Sequence, residues 1–243
     1  MNKPIENTGH EALRAMSLAP AFNHWMYSAI ARFTKGEILE IGSGLGNISN
    51  YFIENGSSVY VSDIDEFYLE HLQNEYPQFQ NGKNILSIDL QKEDFKTNYK
   101  DLSEKFDTVF LLNVLEHLED EPYAIRNCKE LLKKNGTLII LVPAYTFLYS
   151  AMDKALNHYR RYTTKRLKEI LQKENLIIEK SFYFNAMGIP AWLWGKLMKY
   201  KSPPDSNMKF YDKLVPVGKM LDKIVFNKIG LSLIIVAKKS DPS

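Results

Sequence analysis

Two histidines and one glycine-rich loop hold most of the chemistry available to this chain of 243 residues. His117 follows Glu116 directly after a long apolar run. His158 lies in Asp153-Lys-Ala-Leu-Asn157-His158-Tyr159-Arg160-Arg161-Tyr162-Thr163. Imidazole changes charge near neutral pH, so either ring can take a proton from a weakly acidic group or return one. Tyr159 adds a hydroxyl beside His158. A segment this rich in hydrogen-bonding and aromatic side chains is costly to bury without a use. Its structural use would be an ion pair from Arg160 or Arg161 to Asp153 that pins the loop, with His158 bonded only to backbone. The other histidines offer less. His71 falls in a surface helix pattern, and His10 lies in a polar segment expected to be disordered. His24 stands beside Asn23, Trp25 and Tyr27, where packing accounts for the aromatics. Cys128 is the only cysteine, which rules out an intramolecular disulfide and a thiolate-clustered metal site.

The loop reads Glu40-Ile41-Gly42-Ser43-Gly44-Leu45-Gly46. Glycines at alternate positions let the backbone turn sharply and let a ligand lie against the main chain. At the carboxyl end of a first parallel strand, such a loop binds nucleotides. Asn47 breaks the Gly-x-Gly-x-x-Gly pattern of dinucleotide sites, and no Gly-Lys-Ser/Thr phosphate loop is present. Acids then recur where later strands end, in Ser62-Asp63-Ile64-Asp65 and in Ile88-Asp89-Leu90. A carboxylate at such an end can accept hydrogen bonds from both ribose hydroxyls. Asp63 has that position, while Asp65 is placed to cap the following helix.

These residues need a scaffold, and the apolar pattern supplies one. Runs bounded by turn residues predict strands at Glu37–Ile41, Ser58–Ser62, Asn84–Ile88, Phe106–Leu112 and Thr137–Val142, and later at Ile177–Phe184 and Leu231–Ala237. Helical patterns fit residues 46–55, 65–76, 120–134 (stopped by Asn135-Gly136) and 163–174, with an extra amphipathic helix at 20–33. Alternating strands and helices imply an α/β fold with a doubly wound, mostly parallel sheet. The two late strands add an antiparallel hairpin, making seven strands with a helical insertion before the last. The expected organisation is one domain, with a helical cap at 1–35, a cofactor core at 36–185, an insertion or lid at 186–230, and the last strand and tail at 231–243.

Together the motifs at 40–46, 63–65, 89–90, 106–118 and 131–138 resemble the class I S-adenosylmethionine-dependent methyltransferases, over roughly residues 20–185. The 153–163 segment is similar to one in a bacterial stand-alone subgroup of that family. The resemblance implies a Rossmann-like fold and S-adenosylmethionine as cofactor, leaving S-adenosylhomocysteine. It implies cofactor contacts from Glu40, Gly42, Ser43, Gly44, Gly46, Asp63, Ile64, Asp89, Leu90 and Asn113. His158, with His117 and Tyr159, would act on the acceptor. Some related enzymes, which act on RNA ends or on ubiquinone precursors, bind a divalent cation through Glu-x-x-Glu-His and a loop ligand. Here Asn113 replaces the first Glu, leaving Glu116 and His117, with His158 as a candidate third ligand, and no metal is expected.

A net charge of +2 gives no global footprint for nucleic acid, although Arg160, Arg161, Lys165, Arg166 and Lys168 form a local basic cluster. A metal-assisted RNA 2′-O-methyltransferase and a non-catalytic partner subunit are the alternatives to an enzyme for a small-molecule or lipid-like acceptor. Residues 189–228 are basic, amphipathic and aromatic, and suit an acceptor cover or shallow membrane contact. The first residues lack a signal-peptide core, and no apolar run reaches the ~18–20 residues of a spanning helix, so a cytoplasmic location is expected.

Overall fold

The computed structural model describes residues 5–76, 84–198, 200 and 205–240. The ends of the expected cap and tail, and residues 199 and 201–204 of the insertion, lie outside that set. Seven strands form where the apolar runs stop at turn residues: β1 (Ile38–Ile41), β2 (Val59–Asp63), β3 (Ile85–Ser87), β4 (Phe106–Leu112), β5 (Leu132–Pro143), β6 (Leu176–Phe184) and β7 (Ser232–Lys239). They lie in the order β3-β2-β1-β4-β5-β7-β6. Six are parallel, and β7 runs antiparallel between β5 and β6. Leu39, Val109 and Ile139 are fully buried, as expected of central strands covered on both faces.

The helices are α1 (Ile5–Ser17), α2 (Pro20–Ala31), α3 (Ser49–Glu54), α4 (Glu66–Glu75), α5 (Phe95–Asn98), α6 (Glu121–Leu131), α7 (Ala151–Ala155), α8 (Thr164–Lys173), α9 (Gly188–Leu197), α10 (Asp205–Lys213) and α11 (Val215–Ile224). One face of the sheet packs on Phe95, Ile125, Cys128, Leu131, Leu167 and Leu171 from α5, α6 and α8. The other packs on Phe22, Trp25, Phe52, Leu72 and Val215 from α2, α3, α4 and α11. No helix among the described residues is long and apolar enough to cross a membrane.

Three local expectations need correcting. The helix at 120–134 ends at Leu131, and β5 starts at Leu132. The stop at Asn135 (φ +60°) is a disruption within β5, where the register with β4 shifts between Phe106 and Thr108. Helix α2 is apolar around most of its surface because the insertion covers its outer side. Asp212 of α10 accepts the Phe22 N–H at 2.8 Å, and Trp25 lies against Gly218 of α11. The polar start of the chain is α1, and it packs over the glycine loop.

Candidate active site

The strand order reverses between β1 and β4, and a crevice opens at the carboxyl ends of strands around such a point. Gly42 (φ +71°) leaves β1 there, and a Cβ on it would sit 2.5 Å from Val114 after β4. A Cβ on Gly44 would meet Leu13 of α1 at 3.2 Å. The loop is held by main-chain bonds, with Ser43 N–H donating to Ser62 O (2.8 Å) and Gly46 N–H to Ser43 O (2.9 Å). Asp63 accepts N–H bonds from Gly44 (2.9 Å), Ile64 (2.8 Å) and Asp65 (3.1 Å). Burial outweighs those donors and raises the Asp63 pKa. Glu40 lies beneath the loop and accepts a hydrogen bond from Ser49. Burial pushes the Glu40 carboxyl up to about 8. Ile64 is 68 % exposed beside Asp63, and Asn113 (φ +55°) is exposed at the end of β4. Asp89 is half-buried and accepts the Gln91 N–H at 2.8 Å. The Leu90 side chain is in the core, so only its backbone is available to a ligand.

On the other side of the crevice, residues 144–162 form a loop closed at its base. Tyr162 N–H donates to Pro143 O, and Tyr145 N–H to Tyr162 O, both at 2.9 Å. Within it, Asp153 is fully buried and gathers four donors: Ser150 N–H (2.8 Å), Ser150 Oγ (3.2 Å), Arg161 Nε (2.8 Å) and His158 Nδ1 (3.0 Å). Burial pushes the Asp153 pKa up, but the His158 hydrogen bond and the Arg161 charge outweigh it, and the net direction is down. Arg161 also donates to Ala144 O (3.1 Å) and lies 4.1 Å from the Trp192 ring centroid. With Nδ1 on Asp153, the second ring nitrogen of His158 is left for chemistry.

His117 meets His158 edge-on, ring centroids 4.6 Å apart. His117 is exposed at the edge of the cluster, and partial desolvation of its ring, with the His158 ring beside it, lowers its pKa. Glu116 is fully buried, and neither carboxyl oxygen has a hydrogen-bond partner. Burial raises its pKa to about 8 against the pull of Arg161. Ligand atoms of Glu116, His117 and His158 lie within 4.8 Å of one another, a spacing that can accommodate a metal ion.

The structure thus brings Glu116, His117 and His158 together from positions 41 residues apart. It does not tie the Tyr159 side chain to them. That ring is 55 % exposed under the Arg160 guanidinium, and Tyr159 reaches the cluster through its N–H on Glu116 O (2.8 Å). The basic cluster is largely neutralised: Arg160 and Arg166 reach Glu121, Arg161 reaches Asp153, and Lys165 reaches Glu169. Sequence reasoning missed Trp192, whose indole N–H donates to Leu148 O (3.0 Å) from α9. It also missed His10, which is ordered in α1, bonded to the Tyr68 hydroxyl (2.9 Å) and 3.5 Å from Asp65. A helical apolar spacing at Leu13 and Met16 was the available signal for α1.

Residues 39–138 match the model of a methyltransferase domain family. The ubiquinone biosynthesis O-methyltransferase of Haemophilus ducreyi is 32 % identical over 189 residues, covering 71 % of this chain and 78 % of that protein. The chain belongs to the S-adenosylmethionine-dependent methyltransferases. Two solved members show the same fold. A SAM-dependent methyltransferase from Archaeoglobus fulgidus aligns with a TM-score of 0.56 at 19 % identity, over 89 % of this chain and 94 % of that one. Phosphoethanolamine N-methyltransferase 2 of Haemonchus contortus, in complex with S-adenosyl-L-methionine, aligns at 0.59 and 18 %, over 89 % and 52 %. The methyltransferase cofactor is S-adenosylmethionine, and the crevice fits it. An apolar side chain, Ile64, stands in the open beside Asp63 at the end of β2, and Asp89 follows the neighbouring β3, a set of groups suited to a nucleoside with an apolar face and ribose hydroxyls.

Proposed function

We propose that the protein methylates an oxygen atom of a small-molecule or lipid-like acceptor, with His158 as the base. The observation that carries this reading is the His158–Asp153 pair, buried opposite the glycine loop beside Glu116 and His117. The Haemophilus ducreyi relative is a ubiquinone biosynthesis O-methyltransferase, which supports an oxygen acceptor on a small molecule. Gly42, Ser43, Gly44 and Gly46 would seat the cofactor, Asp63 and Asp89 would take its ribose and adenine polar groups, and Ile64, Leu90 and Asn113 would border it. Glu40 supports the loop from below.

When bound, the cofactor supplies an electrophilic methyl carbon on a sulfonium. The residues of this chain must align the acceptor oxygen with that carbon and remove its proton. The free nitrogen of His158 takes the acceptor proton, and the Asp153 carboxylate holds the ring and stabilises the imidazolium. After transfer, His158 would return the acceptor's proton to water, which restores the neutral ring on Asp153. Calorimetry with S-adenosylhomocysteine, together with turnover on a panel of phenolic and lipid-like alcohols, tests the reading. Wild-type protein binds and turns over, and His158→Ala binds equally but turns over ~10²–10⁴-fold more slowly. No cofactor binding at millimolar concentration overturns it.

A second reading is favoured by the unpartnered Glu116 oxygens. Glu116, His117 and His158 would hold a divalent cation that polarises the acceptor oxygen, a mixed nitrogen and oxygen set suited to such ions. Turnover abolished by chelation and restored by one divalent ion selects this reading, and turnover indifferent to chelation selects the first.

A further inference from the structure

The far end of the sheet holds a cavity of about 700 Å³ that methyl transfer does not use. It lies along the open edge of β6, four strands from β1, or roughly 19 Å at ~4.8 Å per strand. Three cations line it: Arg32 just after α2, Lys180 on β6 and Lys228 in the turn after α11. No acid lines it, and the neighbouring Glu179 is taken by Lys238 at 3.4 Å. Among the described residues, none of the three cations has an ion-pair partner, in contrast to the paired arginines of the 144–162 loop. Like charges gathered without counter-charge repel one another, and an anion between them relieves that cost.

The rest of the lining is aromatic. The Arg32 guanidinium lies 4.7 Å from the Phe33 ring centroid and 5.5 Å from that of Phe182. Phe226 is 80 % exposed and held at φ +51°, an unfavourable conformation for a bulky residue. Its turn is fastened on both sides, by Asn227 N–H on Asp222 O and by Tyr183 N–H on Asn227 O, each 2.8 Å. A strained aromatic kept in the open beside unpaired cations matches a ligand with a charged head and an apolar body. We propose that this cavity binds a phosphate-bearing ligand, the phosphate between Arg32, Lys180 and Lys228 and an apolar portion against Phe182 and Phe226.

The phosphate can come from a soluble ester or from a lipid headgroup, and two probes separate them. Full-length protein is titrated calorimetrically with inorganic pyrophosphate, and is sedimented with phosphatidylglycerol or phosphatidylcholine vesicles. The comparison variant is Lys180→Glu/Lys228→Glu, at two exposed positions, with S-adenosylhomocysteine binding as a check on its folding. Pyrophosphate binding that weakens about tenfold or more in the variant supports a soluble ligand, since two charge-assisted contacts are reversed. Binding to phosphatidylglycerol vesicles alone, lost in the variant and in Phe226→Asp, supports a lipid headgroup. No binding of either probe, or equal binding by wild type and variant, overturns the proposal. Lys180→Gln, which removes a single charge, serves if the double variant fails the folding check, and is expected to weaken binding about threefold.

Discussion

The two sides of the crevice are built by different means. On the β1–β3 side, main-chain N–H groups tie the glycine loop to the neighbouring strand end, Ser43 to Ser62 O and Gly44 to the Asp63 carboxylate, and every candidate position lies at the end of its strand or within a few residues of it. On the β4–β6 side, His117, Asp153, His158, Arg161 and Trp192 are joined side chain to side chain across separate parts of the chain. A backbone-built site is fixed by topology. A site built from side chains can be retuned by single substitutions, as would suit the half proposed to face the acceptor.

That contrast can be broken by crossing the two halves. The largest effect is expected from His158→Ala, which removes the proposed base and lowers kcat by ~10²–10⁴-fold while S-adenosylhomocysteine binding stays at the wild-type level. A parallel loss of binding would show that the halves are one unit. Next, Asp63→Ala removes an acceptor that the ribose and the Gly44 amide would share. Calorimetry is expected to show cofactor affinity lower by roughly 30–100-fold, about 2–3 kcal/mol.

Glu116→Gln tests stability across pH. Burial pushes the Glu116 pKa up to about 8 from the ordinary 4.5, so between those limits the folded chain keeps a proton that the unfolded chain has lost. Stability therefore falls as pH rises through that window, and the neutral Gln abolishes the fall. Melting temperatures of variant and wild type should coincide near pH 5 and separate by several degrees, with Gln higher, near pH 8. Parallel curves would show that Glu116 ionises normally. The smallest change is Arg160→Ala, which removes one of two arginines on Glu121 and is expected to cost about 1 kcal/mol in thermal unfolding, with cofactor binding untouched.

The same contrast explains what could be read in the sequence. Strand β4 falls at Phe106–Leu112 as the apolar run predicts, and Asp63 closes β2 one residue beyond the expected end. Local motifs carry local geometry. The partnership of His158 with His117 depends on how a long loop folds back, and no spacing rule reports that. Tyr159 shows the cost of adjacency as an argument, because neighbours in an irregular segment point in different directions. The helix expected through Asn135 failed for another reason. Asn-Gly serves equally as a helix stop and as a bend within a strand, and pairing of Leu132 with Phe106 decided between them.

The closure of residues 144–162 at their own base has a consequence for how such proteins diversify. The two ends are joined by main-chain bonds, at Tyr162 N–H to Pro143 O and Tyr145 N–H to Tyr162 O. Main-chain bonds make no demand on side-chain identity, and the entropic cost of closing a longer loop grows only slowly with length. The segment behaves as a cassette. Its interior can be lengthened, shortened or exchanged with a relative's at those two anchor points while the sheet keeps its register and the glycine loop its shape.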